Sequence, residues 1–229
     1  MNAEQVLDQL RSLANPNAAI QAARFGIDSP NTYGIAAPVL KKMAKTIGRD
    51  HALAEALWAT GNLDARIIAC LVDDPALVTE PQMERWVNDL DSWSICDCAC
   101  GYLFDKTPWA YAKAVEWCGR EAEYVKRAGF AMMAELAVHD KAASDTAFMA
   151  FLPTIKRGAT DERNFVRKAV NWALRQIGKR NPRLNKAAIR TAREIQRIDS
   201  KAARWVAADA LRELTGESVQ QRLAARAAR

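Results

Sequence analysis

The chain has 229 residues, half of them hydrophobic, with 33 Lys and Arg against 27 Asp and Glu. That length buries one sizeable core or one continuous array of repeats, and the composition excludes disorder; apolar runs of period two are missing, so the class is all-α. The formal charge of +6 is unevenly spread: residues 1–115 carry 10 basic against 14 acidic side chains and residues 116–229 carry 23 against 13, so the halves stand at −4 and +10.

A half as basic as the second favours a polyanionic partner, because each neutralised phosphate releases counterions. Breaks at Asn15-Pro16, Ser29-Pro30-Asn31, Gly48, Gly61, Pro75, Pro81, Thr107-Pro108, Pro153, Asn181-Pro182 and Gly216 cut the chain into helical segments, each of about ten to twenty residues. The most irregular stretch runs from Asp28 to Pro38. No intervening linker is long enough to separate domains, so one repeat domain over residues 1–229 is expected, its basic tail from 216 to 229 frayed. Thr107 before Pro108 and Thr160 before Asp161-Glu162 are predicted helix starts, since a hydroxyl and early acids satisfy free amides.

In the helix predicted for Asp91 to Phe104, a turn of about 100° per residue puts Ile95, Ala99, Tyr102 and Leu103 on one face. Trp93, Asp97 and Gly101 share the opposite face, with Trp93 and Asp97 as i, i+4 neighbours. Asp97 reads equally as a solvated acid. Cys96, Cys98 and Cys100 point about 200° apart in succession, which prevents convergence on one metal and makes them small buried or half-buried residues. The next helix, Glu121 to Val138, has Val125, Met132, Met133 and Leu136 as its core, and Arg127 is expected to point away beside Ala131 and Ala134.

The helix predicted for Asp161 to Arg180 buries Val166, Ala169, Val170, Ala173, Leu174 and Ile177, while Arg167, Lys168, Asn171, Arg175 and Lys179 take the other side. Trp172 lies among those polar residues. Either its ring folds over the next helix or it marks a binding surface. A weak echo joins Ala65-Arg66-Ile67-Ile68-Ala69, Lys126-Arg127-Ala128-Gly129-Phe130, Arg167-Lys168-Ala169-Val170 and Ala203-Arg204-Trp205-Val206-Ala207, with the Ile95 to Ala99 segment slotted between the first two. The spacing, about 30 to 41 residues, is that of stacked helix pairs. An α-solenoid of about six helix pairs is the favoured architecture, with a globular bundle as the alternative. A solenoid would align the outward faces of Trp93 with Asp97, Arg127, and Trp172 with Arg175 on one concave surface.

One carboxylate among cations and indoles suits cleavage of a glycosidic bond, whose oxocarbenium-like transition state an anion stabilises directly. A leaving base that already carries positive charge, as an N3- or N7-alkylated purine does, needs no general acid. Other chemistries have little support: His51 and His139 are the only histidines, and neither HExxH, CxxC nor GxxxxGK[ST] occurs. Five cysteines, no signal peptide and no apolar run near about twenty residues lead to a reducing cytoplasm as the expected compartment.

Tyr33-Gly34-Ile35 with Pro38, Asp91-Ser92-Trp93 with Cys96-Asp97, Val125-Lys126-Arg127-Ala128, and the stretch from Asp161-Glu162-Arg163-Asn164 to Gly178-Lys179-Arg180-Asn181 resemble the AlkD-type DNA alkylation repair family. The likeness spans residues 25 to 215. It implies HEAT-like repeats whose basic concave face holds duplex DNA, and monofunctional excision of N3- and N7-alkylpurines without a base-reading pocket. By the same resemblance Asp97 stabilises the developing sugar cation and positions water. Trp93 and Trp172 pack against the deoxyribose, Arg127 holds a backbone phosphate, and Arg175 adds another phosphate contact.

Arg163, Arg167, Lys168, Lys179 and Arg204 complete the expected DNA-binding set. Ser94 departs from the pattern, since a second Asp often follows the family's Trp. Related branches bind unusual DNA structures with little excision, so a non-catalytic binder of branched or damaged DNA stands as the alternative. A protein scaffold is the third reading. The expected state is a nucleoid-associated monomer with duplex DNA as partner and no cofactor, metal, membrane or obligate protein partner.

Overall fold

The computed structural model describes residues 1–27 and 29–227, and its contacts cluster in two compact units, Met1–Trp109 and Ala110–Arg229. The first holds α1 (Ala3–Ser12), α2 (Pro16–Ala23), α3 (Ala37–Ile47), α4 (His51–Ala59), α5 (Leu63–Val72), α6 (Glu80–Asn88) and α7 (Trp93–Tyr102), followed by a 3-10 turn at Phe104–Lys106. The second holds α8 (Ala110–Trp117), α9 (Glu123–His139), α10 (Asp145–Met149), α11 (Leu152–Gly158), α12 (Asn164–Gly178), α13 (Pro182–Gln196), α14 (Lys201–Leu214) and α15 (Glu217–Ala227).

Several predicted breaks are helix starts. Asn15 and Asn181 accept from the amides of Ala18 and Leu184 while the following proline fills the first helical turn, where its missing N–H costs nothing. Thr107 and Thr160 do not start helices. Each hydroxyl instead donates backwards, to Phe104 O and Arg157 O, because the next helix begins three residues or more downstream. At α12 it is Asp161 that serves the chain start, its carboxylate accepting from Arg163 N at 3.1 Å.

In the first unit, α3, α5 and α7 lie side by side, with α4 packed on α5. The core centres on Trp58 and Trp86, stacked with centroids 4.0 Å apart and planes within 5°. Such a pair adds about 0.5–1.5 kcal/mol beyond its buried area. The Trp58 indole N–H donates to Asp89 at 2.9 Å, so burying the ring strands no donor.

The loop before α3 is held by one buried carboxylate. Asp64 accepts from Thr32 Oγ1 (2.8 Å), Tyr33 N (2.6 Å) and Ile35 N (3.0 Å). Gly34 turns through φ +72°, and a Cβ there would sit 2.4 Å from Asn15 O, so only glycine fits. Asp28, the first residue of the predicted irregular stretch, lies outside the described residues.

In the second unit, α9, α12 and α14 form one row, with α8, α11 and α13 packed against it. Close approach of α8 to α9 depends on Gly129, where a Cβ would meet Cys118 N at 2.6 Å and Ala114 O at 2.9 Å. The tail expected to fray is helical through residue 227, with Val219 and Leu223 buried; Ala228 and Arg229 lie outside the described residues. Two apolar residues one turn apart give α15 a docking face, which outweighs its terminal position. Among the described residues no helix is long and apolar enough to cross a membrane.

Candidate nucleic-acid interface

The candidate residues divide between the two units. Trp93 opens α7 after Ser92, which is extended and makes no side-chain cap bond, and one turn later Asp97 follows; Trp93 and Asp97 are half-buried. The Trp93 indole N–H donates to Phe25 O at 2.9 Å. That bond fixes the ring and ties α7 to the end of the α2 segment, where Phe25 itself is 73% exposed. Ser94 is also half-buried, and Gly101, expected to share this face, is buried, its carbonyl accepting from Lys106 Nζ.

In the second unit, Arg127 is not the outward-pointing cation expected from its helix alone. It is 5% exposed and donates through Nη1 to Phe165 O at 2.7 Å, in the first turn of α12. The cause is packing: α12 lies along α9 and covers the face that a single helical wheel leaves open. Asn171 is corrected in the same way, being buried and donating to Val206 O at 3.1 Å across to α14. Trp172 is half-buried on α12.

The remaining cations sort by what holds them. Arg163 forks onto Asp161 (2.5 and 2.9 Å) and reaches Glu121 O at 2.6 Å, clipping the start of α12 to the segment before α9. Hydrogen bonding to Asp161 raises the Arg163 pKa. Burial pushes the Asp161 carboxyl up, but Arg163 and Lys126 outweigh it and hold the acid below its ordinary range. Arg175 and Lys179 share Glu213 of α14, Lys179 at 2.7 Å, so much of their charge is met within the protein.

Arg167, Lys168 and Arg204 are disposed differently. The Arg167 guanidinium lies over the Trp205 ring, 4.7 Å from its centroid, and its buried Nε has no hydrogen-bond partner among the described residues. Lys168 is exposed and stands 5.9 Å over Phe165, whose ring meets Tyr124 at 5.8 Å. Arg204 is exposed and pairs with Asp199 at 3.0 Å. The row of α9, α12 and α14 therefore carries aromatic rings interleaved with cations, a combination that suits stacking and phosphate contact together.

Trp205, 39% exposed, is the aromatic that sequence reasoning leaves unused. Its signal is present: Ala202, Ala203, Val206, Ala207 and Ala210 form the buried arc of α14, and Trp205 falls outside it as Trp172 falls outside the arc of α12. The histidines are both beside acids, His51 at 2.6 Å from the buried Asp73 and His139 at 3.7 Å from Glu135. No three His, Cys, Asp or Glu among the described residues are grouped to hold a metal.

Comparison with known proteins agrees with the fold. A solved structure, from a family described as related to the HEAT-like repeat DNA glycosylases with affinity for branched DNA structures, superposes with a TM-score of 0.78 at 22% identity, covering 97% of this chain and 96% of that one. The fold is thus the all-α class of HEAT-like helix pairs rather than a globular bundle. Uncharacterized proteins of Listeria innocua and Listeria monocytogenes are 26% and 23% identical over 199 residues, 85% of this chain and 87% of each relative. A family profile described as DNA alkylation repair enzyme matches residues 6–214. The chain belongs to the DNA alkylation repair enzyme family.

Proposed function

We propose that the protein is a monofunctional DNA glycosylase that hydrolyses the N-glycosidic bond of positively charged N3- and N7-alkylpurines in duplex DNA. The observation that carries the reading is Asp97, one turn after a tryptophan whose ring is anchored by its own indole N–H. A carboxylate beside the deoxyribose stabilises positive charge as it develops on the sugar, and it orients the attacking water. The alkylated base leaves as a neutral species, so no acid has to protonate it.

Trp93 supplies a ring face for the sugar beside Asp97, and Trp172 offers a ring face to DNA within the second unit. Arg127 acts as a positioning residue, holding the first turn of α12 through Phe165 O. Backbone phosphates fall to Arg167 and Lys168, whose charges face aromatic rings, and to Arg204 in an exposed pair with Asp199, with Arg163, Arg175 and Lys179 adding positive potential from within less exposed ion pairs. The protein works as a cytoplasmic monomer on nucleoid DNA.

An abasic-site assay on methylated duplex tests this. Asp97→Asn retains duplex affinity and loses release of 7-methylguanine and 3-methyladenine by about 100-fold or more, the scale of removing one transition-state charge contact. Release at the wild-type rate removes Asp97 from the mechanism. Ser94, and the branched-DNA affinity described for the structural relative, favour a second reading in which the protein binds junctions without excision. Tight junction binding with no abasic sites at high protein concentration would select it.

A further inference from the structure

Where α9 and α12 end, beside the flank of α15, the second unit contains a cavity of about 640 Å³. Its charged lining is Lys141, Lys179, Arg180, Arg222 and Arg226 against a single acid, Asp145. The acid is already engaged, accepting from Asn181 Nδ2 at 2.6 Å and lying 3.9 Å from Arg183. Among the described residues, only Lys179 of the five cations has a carboxylate partner, Glu213.

Two of the cations are positioned without being neutralised. Arg180 donates to Ala137 O at 2.8 Å and Ala143 O at 3.3 Å, and Arg226 donates to Lys179 O and Arg180 O at 3.0 and 3.1 Å. Neutral carbonyls orient a guanidinium but leave its charge in place. The Arg180 group also stacks on Phe148 at 3.9 Å, and its buried Nε has no hydrogen-bond partner among the described residues. Burial lowers the Arg180 pKa, as expected of a cation held away from water, against the opposing pull of Tyr111, Asp140 and Asp145. Lys141 and Arg222 stand exposed at the rim.

Four cations without a carboxylate partner among the described residues, around one half-enclosed space, repel one another, and a multivalent anion relieves that repulsion more than water does. Guanidinium forks at fixed angles suit tetrahedral oxyanions that accept two bonds at once. We propose that this cavity is a binding site for adjacent phosphate groups, separate from Trp93, Asp97 and Trp172 and sharing Lys179 alone with the cations assigned to the duplex. Those phosphates come either from a nucleic-acid backbone or from a free polyphosphate.

The test uses the full chain and the double variant Lys141→Ala/Arg222→Ala, whose rim positions leave the core intact. Inorganic tripolyphosphate is titrated by calorimetry, and duplex and four-way-junction affinities are measured across salt. We expect wild type to bind tripolyphosphate and the variant to lose tenfold or more, with an unchanged melting temperature. If the phosphates belong to nucleic acid, the slope of log affinity against log salt also falls by about 2; if they belong to a free compound, that slope is unchanged while tripolyphosphate binding is lost. A fall in slope without tripolyphosphate binding supports the backbone alone. No difference between variant and wild type in either measurement overturns the site. The abasic-site assay is scored separately, so failure here is distinguishable from failure of the glycosylase reading.

Discussion

Asp64 shows how one buried side chain can shape a loop. Its two oxygens take donors from Thr32, Tyr33 and Ile35, and its 2% exposure gives those donors no water to fall back on. Asp64→Ala should therefore cost about 2–4 kcal/mol, the range for removing a charged acceptor from several buried donors, read as a lower urea midpoint. Asp64→Asn keeps one acceptor oxygen and should fall between wild type and the alanine variant. An alanine variant as stable as wild type would mean that the loop holds itself. Nothing in the Tyr33-Gly34-Ile35 pattern names Asp64 as its anchor, because the two are about thirty positions apart and meet only in the folded unit.

At the scale of elements, α12 and α14 are joined by charge as well as by packing. Burial pushes the Glu213 carboxyl up, but Lys179 and Arg175 prevail and hold it below its ordinary value of 4.5. A depressed folded value means that this contribution is complete above pH 4.5 and is lost as pH falls through the folded value. Glu213→Gln should accordingly lower the urea midpoint at pH 7 and shrink the difference from wild type as the solution is acidified below 4.5. A constant difference across that window would rule out the ion pairs as its source. The same pairing explains why Arg175 and Lys179, read from their own helix as free cations, are largely met: their partner stands 38 and 34 residues later on α14.

For the molecule as a whole, charge separates nucleic-acid readings from a protein scaffold. Three phosphate contacts, from Arg167, Lys168 and Arg204, predict a fall in duplex affinity of about 40-fold between about 50 and 200 mM salt. Affinity that is absent, or indifferent to salt, would favour the scaffold. Much of this protein was legible in its order of residues. Helical periodicity, breaks at Asn15-Pro16 and Asn181-Pro182 and the surplus of cations after residue 115 are local or additive properties, and each survives in the fold. The i, i+4 pairing of Trp93 with Asp97 was legible for the same reason, since a helix sets that distance by itself.

Burial of Arg127 and Asn171, capture of Arg175 by Glu213, and the stacking of Arg167 on Trp205 were decided only when α9, α12 and α14 came side by side. So was the cationic cavity beside α15, whose lining is drawn from three separate stretches of chain. Periodicity states which way a side chain leaves its helix. What it meets there depends on the neighbouring helix, and that is a property of packing rather than of any one segment.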